Sequence, residues 1–373
     1  MNAISKYITL LKKNRDKNFN ELTIFITNYC NLSCQHCFYP TNINNSFSEL
    51  SAEPLRKLAS SLPSTCKKII LTGGEPFMRD DLPEIIRIFS RYGIKDFTIA
   101  TNGTLTDNIK KFIDSLFSMK EVRVFFSVSL DGPERIHDRI RKQEGAFQKT
   151  INTLKIMKEK NIFFGIQTVV SELNYKAIES FDKYINDNFK TEVHYQFIRS
   201  AQMSGLPCNL RMPFNPLEKL LLPTIDDIEK FLVELKRIYL ARGNRLNNFL
   251  KHIFDFTILE CKYLILKTQK MIFPCLAGKS NAVVYPCSEV AICEYIIPVK
   301  TNLKTLDYNF NRLWNSPEIE SQRKISANCY CTHGCFINMA GNFRFLIYFS
   351  KNFLIFSYLL SQKFLKKKFN KRG

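Results

Sequence analysis

Several features that would place a chain in a common class are missing from this sequence. No apolar stretch reaches the roughly 20 residues that a membrane-spanning helix needs. The basic segment before position 18 is followed by no apolar run or small-residue cleavage site, so we expect no signal peptide and a cytoplasmic protein. No G-x-G-x-x-G or G-x-x-x-x-G-K-[ST] loop follows a predicted strand, which argues against a nucleotide-binding doubly wound sheet.

The charge of the chain is strongly unbalanced. The formal net charge is +20, which ordinarily indicates a nucleic-acid or anionic membrane partner. Two observations weaken that inference. Metal-bound cysteines are thiolates and reduce the formal count, and the basic residues are spread along predicted helices such as 149–160. Because no nucleic-acid module is visible either, we expect no nucleic acid to bind.

The length and the cysteine content set the remaining limits. A chain of 373 residues with 45% hydrophobic and 24% charged residues favours one barrel-sized domain plus a smaller one. Twelve cysteines in a reducing compartment do not indicate disulfides, so their spacing has to separate metal ligands from buried thiols. Cys66, Cys208 and Cys261 stand alone and are interpreted as buried thiols.

From position 22 to about 199, short β-rich segments alternate with helical ones, as in βα units around a parallel sheet. Strands are predicted at 22–27, 68–72, 97–101, 122–130, 162–170 and 192–198. Helices are predicted between them, at 53–61, 82–92, 109–117, 147–160 and 175–188. The predicted fold class is therefore α/β, a partial (β/α)6 parallel barrel followed by a small cysteine-rich domain.

Prolines between 207 and 223 end this alternation, and a predicted helix at 225–241 leads to the cysteine-rich region. We therefore expect an N-terminal extension, an α/β core, a connecting helical segment, a small C-terminal domain and a basic aromatic tail. Their predicted bounds are 1–20, 21–215, 216–272, 273–336 and 337–373.

Three cysteines follow the first predicted strand in the pattern C-x3-C-x2-C, at Cys30, Cys34 and Cys37. Iron-sulfur clusters are held by thiolates, and three ligands for four irons leave one iron open to a small molecule. The alternatives are a zinc knuckle, although zinc normally uses paired C-x2-C units, and a coincidence of buried thiols. The predicted position at the top of a parallel barrel, where catalytic groups gather, favours a catalytic cluster.

One βα unit later, the second strand ends in Thr-Gly-Gly-Glu-Pro. With the cysteine triplet, this motif resembles the radical S-adenosylmethionine (radical SAM) superfamily. The resemblance implies that the motif contacts the amino group of S-adenosyl-L-methionine (SAM), because glycines allow close backbone approach and Glu75 can accept from an ammonium. The residues so assigned are Gly73, Gly74, Glu75 and Pro76.

Later positions agree with the same resemblance. Asn102 follows the third strand and is assigned to the SAM site, while Ser129 lies on the fourth strand and corresponds to a serine that reaches the ribose or carboxylate of SAM. Arg141 corresponds to an arginine that pairs with the SAM carboxylate, which a planar guanidinium can bind in bidentate fashion. A turn at Asp131 and a surface position for His137 are the alternative interpretation of this segment.

The C-terminal region resembles the SPASM and Twitch domains of radical SAM enzymes. The resemblance implies an auxiliary 4Fe-4S cluster with five candidate ligands, namely Cys275, Cys293, Cys329, Cys331 and Cys335. Ser288 stands where the family's hairpin carries glycine, and Cys287 stands where it usually carries aspartate, so Cys287 is interpreted as a non-ligand. A structural zinc site is the alternative for this region.

The resemblance implies reductive cleavage of SAM to methionine and a 5'-deoxyadenosyl radical that abstracts hydrogen from a substrate. Flavodoxin or ferredoxin is the implied electron donor. The expected substrate is a lipid or cell-envelope precursor, which fits the basic aromatic tail somewhat better, or a peptide. The rival class is a non-enzymatic iron-sulfur protein for electron transfer or redox sensing, against which the intact GGEP motif argues. The aromatic tail with its basic end is predicted to be either a helix packed on the barrel or a peripheral membrane contact.

Overall fold

The computed structural model describes residues 18–37, 39, 43–44, 49–198, 221–242, 246–272, 275–326, 329–332 and 343–369, and for 246–248, 343–344 and 363–369 it describes the backbone alone. Cys208 and Cys335 lie outside the described residues. The strands within these ranges are β1 (Glu21–Thr27), β2 (Lys68–Gly73), β3 (Asp96–Thr101), β4 (Arg123–Ser129), β5 (Phe164–Val170), β6 (Val193–Phe197), β7 (Asn281–Val284) and β8 (Val290–Ala291).

Helices follow most of the strands. They are α1 (Ala52–Ser60), α2 (Leu82–Arg91), α3 (Thr106–Leu116), α4 (Glu134–Arg141), α5 (Ala146–Glu159), α6 (Ile178–Phe189), α7 (Ile225–Arg242), α8 (Leu246–Thr268), α9 (Phe310–Trp314), α10 (Pro317–Ser326) and α11 (Phe343–Phe369). The helices of the βα units are amphipathic, as α2 illustrates. Its buried side chains include Leu82, Ile85, Ile86 and Phe89, at the spacing of one helix face.

The sheet has the strand order β6-β5-β4-β3-β2-β1-β7-β8. Strands β1 to β6 are parallel and pair in chain order, and no pairing of β6 with β1 closes the described part into a full barrel. The prediction of an α/β fold with six parallel βα units is confirmed, and each predicted strand lies within two residues of the observed one.

The C-terminal region continues the same sheet. Strand β7 pairs in parallel with the free edge of β1, and β8 pairs antiparallel with β7. Strand β1 therefore lies between two neighbours, and six of its seven residues are buried. This explains its nearly continuous apolar sequence, because a strand with both faces covered has no reason to alternate.

Helix α4 is the element of the core that the sequence analysis did not predict. Its sequence is Glu-Arg-Ile-His-Asp-Arg-Ile-Arg, and its buried residues are His137, Ile140 and Arg141. Because two of the three inward side chains are polar, the apolar periodicity that predicts a helix is absent. The interpretation of His137 as a surface residue is wrong, since this side chain is fully buried.

The turn between β7 and β8 has an unusual residue at its tight position. The Ser288 amide donates to the Tyr285 carbonyl at 2.9 Å, and Pro286 holds the second position of this turn. Ser288 has φ of 71°, in the left-handed region, and its side chain is fully buried. Its hydroxyl has no hydrogen-bond partner among the described residues. The turn thus forms in spite of a serine where a glycine would be unstrained.

Replacing Ser288 by glycine is expected to stabilise the protein. Relief of the left-handed conformation and removal of a buried unpaired hydroxyl together outweigh the extra freedom of glycine in the unfolded chain, for a net gain of about 1 kcal/mol. Thermal or denaturant unfolding measures the gain. Ser64→Gly is the matched control, because Ser64 is exposed and is not among the positive-φ residues. It should be neutral or slightly destabilising, and an equal gain there would contradict the explanation.

The tail forms helix α11, which packs against α8. Phe356 of α11 contacts Phe256 of α8, with ring centroids 5.4 Å apart. Within the part of the chain that the structure describes, no helix is long and apolar enough to cross a membrane. The tail is thus a packed helix, but the prediction that it packs on the barrel needs correction, because its main contacts in the described part of the chain are with α8 and α7 of the connecting segment.

Candidate active site

The three cysteines after β1 line one cavity of about 460 Å³ at the carboxyl ends of the parallel strands. The loop that carries them is fixed by backbone hydrogen bonds. The amide of Cys30 donates to Asn44 Oδ1 at 2.9 Å, and the amide of Cys37 donates to the Cys34 carbonyl at 3.1 Å. The amide of Gln35 donates to the carbonyl of Ile140 in α4 at 2.9 Å. The thiols are therefore presented by a braced loop.

The chemistry of these thiols fits a positively charged group. Burial raises the pKa of the Cys30 thiol to about 12, so a thiolate at this position needs a cation beside it. Among the described residues, no three His, Cys, Asp or Glu side chains are arranged to hold a single metal ion. A 4Fe-4S cluster does not need such convergence, because each thiolate binds a different iron. Three half-buried thiols on the wall of one cavity suit that group.

Gly73 and Gly74, at the end of β2, lie against the backbone that leads into the cysteine loop. The Gly74 amide donates to the Thr27 carbonyl at 2.9 Å, and the Glu75 amide donates to the Tyr29 carbonyl at 2.8 Å. A Cβ on Gly73 would lie 2.1 Å from the Thr27 oxygen, and one on Gly74 would lie 2.0 Å from the Tyr29 oxygen. The glycines are thus required by the close approach of the motif to the loop that carries Cys30.

Glu75 is buried at the inner end of this motif and lines the cavity. Its Oε1 accepts from Thr101 Oγ1 at 2.8 Å, and its Oε2 accepts from the Asn102 amide at 2.7 Å. Burial raises the pKa of Glu75 to about 7, in spite of the hydrogen bonds from Asn102, Thr101 and Phe77. A cationic ammonium in the cavity would favour the charged carboxylate, so it would be bound more tightly above this pKa than below it.

Asn102 and Ser129 also line the cavity, whereas Pro76 is buried beside it and begins a short 3-10 turn, Pro76–Met78. Asn102 Nδ2 donates to Asn31 Oδ1 at 2.9 Å, which ties the end of β3 to the cysteine loop. The structure thus places all of the residues predicted for the SAM site around one cavity, except Pro76.

Arg141 is held by a partner that the sequence did not indicate. Its Nε and Nη2 atoms each lie 2.8 Å from Asp131 Oδ2, and its Nη1 donates to Cys34 Sγ at 3.5 Å. Burial alone would raise the pKa of Asp131, but Arg141, His36 and His137 lower it below its usual value. Asp131 is therefore a charged partner of Arg141, and the interpretation of Asp131 as a mere turn residue is wrong.

The C-terminal cysteines form a second group, apart from the cavity lining. Burial, followed by Cys331 and Cys275, raises the pKa of Cys293 well above its usual value. The pKa of Cys329 is raised by its hydrogen bond to Cys331, by burial and by the charges of Cys293 and Cys275. These four thiols are therefore close enough to influence one another. Cys287 donates instead to Glu289 Oε2 at 3.1 Å.

Glu294 is a cavity residue that the sequence analysis missed. It follows Cys293 and is buried, and it lines the same cavity as Cys30 and Arg141. Gln167 and Gln196 line it as well, with Gln196 Nε2 donating to Gln167 Oε1 at 3.0 Å. No sequence signal predicts the position of Glu294, because it depends on the pairing of β7 with β1.

An open parallel βα barrel with three thiols and a GGEP motif around one cavity is typical of α/β domains that bind an iron-sulfur cluster. Residues 24–185 match the family model described as the Radical SAM superfamily. These residues form a radical SAM domain. Proteins of this family use a 4Fe-4S cluster and SAM.

Similar proteins include Fe-coproporphyrin III synthase of Methanosarcina barkeri, 34% identical over 184 residues, which are 48% of this chain and 45% of that protein. The chain thus spans less than half the length of that relative. The cysteine-type anaerobic sulfatase-maturating enzyme of Clostridium novyi is 25% identical over 84% of this chain and 87% of that protein. Streptococcus suis SuiB, in a crystal structure with its precursor peptide SuiA, has the same fold with a TM-score of 0.61, at 17% identity over 91% of this chain and 77% of SuiB.

Proposed function

We propose that the chain is a radical SAM enzyme that acts on a peptide. The observation that carries the proposal is the shared cavity, which is lined by the three thiols, by Glu75 and by Arg141. A 4Fe-4S cluster held there would supply the electron that cleaves SAM to methionine and a 5'-deoxyadenosyl radical, which takes a hydrogen atom from the substrate.

The chain's own residues would bind and orient the reactants. Cys30, Cys34 and Cys37 would hold the cluster as thiolates. Glu75, fixed by its hydrogen bonds to the end of β3, would accept from the ammonium of SAM. The Nε and Nη2 atoms of Arg141 pair with Asp131. The remaining N–H groups of Arg141 would donate to the SAM carboxylate.

The hydrogen bond from Arg141 to Cys34 Sγ gives this arginine a further effect. A charge-assisted donor to a cluster thiolate stabilises the negative charge on sulfur, and hydrogen bonds to sulfur are one of the determinants of cluster potential. The ion pair with Asp131 keeps the guanidinium in place. Arg141 would therefore connect the cluster loop, helix α4 and the SAM carboxylate.

We propose one auxiliary 4Fe-4S cluster in the C-terminal region, with its ligands drawn from Cys275, Cys293, Cys329, Cys331 and Cys335. Support comes from the mutual proximity of the first four thiols, three of which are buried. Glu294 adjoins this group and also faces the cavity. Its carboxylate would contact a substrate in that cavity.

A peptide substrate is supported by the relatives, because one is named for maturation of a sulfatase and the SuiB structure contains a precursor peptide. A lipid or cell-envelope precursor is the second candidate, favoured by the aromatic and basic tail. As part of the proposal, a reduced flavodoxin or ferredoxin would donate the electron and the protein would act in the cytoplasm. Contact with the membrane through the tail is part of the same proposal.

Anaerobically reconstituted protein with dithionite is expected to convert SAM to 5'-deoxyadenosine slowly even without substrate. Liquid chromatography with mass spectrometry measures the product, and iron and sulfide analysis confirms the cluster content. A non-enzymatic electron carrier would give no product above that of free cluster and dithionite. Absence of 5'-deoxyadenosine with a full cluster would therefore refute the enzymatic proposal.

A further inference from the structure

Helix α11 has a polar clamp on the side that faces α8. Asn352 is fully buried, and its Nδ2 donates to Thr257 Oγ1 at 3.1 Å and to Glu260 Oε2 at 2.8 Å. Lys351 Nζ lies 2.8 Å from Glu260 Oε1. Phe345 and Phe356 are fully buried on the same helix. Because a buried amide must keep its hydrogen bonds, the clamp fixes the rotation of α11 about its axis.

The opposite side of α11 exposes three large apolar side chains. Ile347, Leu354 and Tyr358 are 54%, 68% and 62% exposed. Their spacing of seven and four residues places them on one face of the helix. Single exposed apolar side chains need no explanation, but an aligned set of three on one helix marks an interaction surface. We call these three residues the outer stripe.

The charge around the outer stripe indicates the kind of partner. The sequence has no Asp or Glu after Glu320, whereas Lys366, Lys367 and Lys368 continue the helix and Lys371 and Arg372 follow it. A protein partner for this surface would have to supply both an apolar groove and acidic residues. A bilayer with anionic lipids supplies apolar chains below a layer of negative phosphates, which matches a helix with an apolar face and a basic end.

We propose that α11 lies in the surface of an anionic bilayer with the outer stripe among the upper acyl chains, and that the positive charge of its C-terminal sequence adds attraction to the lipid phosphates. The helix lies along the membrane, because none of the described helices can span one. This inference gives the geometry of the membrane contact that the proposed function includes, and vesicle binding tests it without reference to SAM cleavage.

Sedimentation with sucrose-loaded vesicles tests the proposal on the full chain. The wild-type protein is expected to bind vesicles of phosphatidylcholine and phosphatidylglycerol. Its affinity for vesicles of pure phosphatidylcholine should be lower by about tenfold or more. A variant with Ile347→Ser, Leu354→Ser and Tyr358→Ser should lose about tenfold or more of the binding to the mixed vesicles. Changing the lysines at 366–368 to Gln should cause a similar loss.

The control is Val233→Ser, which removes an apolar side chain that is 70% exposed on α7. It should leave vesicle binding unchanged, and circular dichroism should show that every variant keeps its helices. Two results would overturn the proposal. One is binding to mixed vesicles that is insensitive to the outer-stripe substitutions. The other is a wild-type dimer that these substitutions turn into a monomer without affecting vesicle binding, since the stripe would then be a protein interface.

Discussion

Replacing Cys30, Cys34 and Cys37 together by alanine is expected to abolish formation of 5'-deoxyadenosine and to leave about four irons per chain instead of about eight. The reason is that the three thiols line the cavity shared with Glu75, while the C-terminal thiols form a separate group. Iron analysis and the product assay, both done after anaerobic reconstitution, measure the two effects independently.

The matched control is Cys66→Ala, which removes a buried thiol of the core that adjoins neither group. It should keep about eight irons and full SAM cleavage. Circular dichroism should show that the triple variant retains its secondary structure. Cleavage that persists in the triple variant would mean that SAM is activated elsewhere. Loss of all iron would mean that the C-terminal region holds no cluster of its own.

The fold was predictable from the sequence because the βα alternation is a local signal. Strands such as β3 and β5 are short, rich in β-branched residues and bounded by turns. Each can therefore be located from the residue types in and beside it in the sequence. The partner of β1 on its far side was not predictable. Strand β7 begins more than 250 residues after the end of β1 and is four residues long. No periodicity in the sequence indicates which edge of the sheet it joins.

The candidate site likewise has residues that the sequence predicts and residues that only the folded structure reveals. The cysteine triplet and the GGEP motif are compact, and their chemistry can be argued from residue type and spacing. The ion pair between Asp131 and Arg141 and the cavity position of Glu294 depend on how distant segments fold against each other. The family resemblance also assigned Gly73 and Gly74 to contact with a ligand. The structure shows a second reason for them, since any Cβ there would collide with the backbone at Thr27 and Tyr29.

The second cysteine group leads to the other large effect that we expect. In the background that lacks Cys30, Cys34 and Cys37, Cys293→Ala should lose most of the remaining iron, whereas Cys287→Ala should keep about four irons per chain. Cys293 is buried among thiols whose charges raise its pKa, so a thiolate there is stabilised only by a bound cation. Cys287 donates to the carboxylate of Glu289 and has no such neighbours among the groups that shift its pKa.

The opposite outcome would locate an error in the hairpin. If Cys287→Ala loses the iron and Cys293→Ala keeps it, the second ligand lies in the turn beside Ser288, and the register of β7 against β8 must differ from the one described. If the triple variant contains zinc and no iron after anaerobic preparation, the region is a zinc-stabilised domain instead, as C-x-C pairs also allow. Cys275 and Cys293 leave two ligand positions, for which Cys329, Cys331 and Cys335 offer three thiols. We therefore expect one of the three single alanine variants to retain its iron.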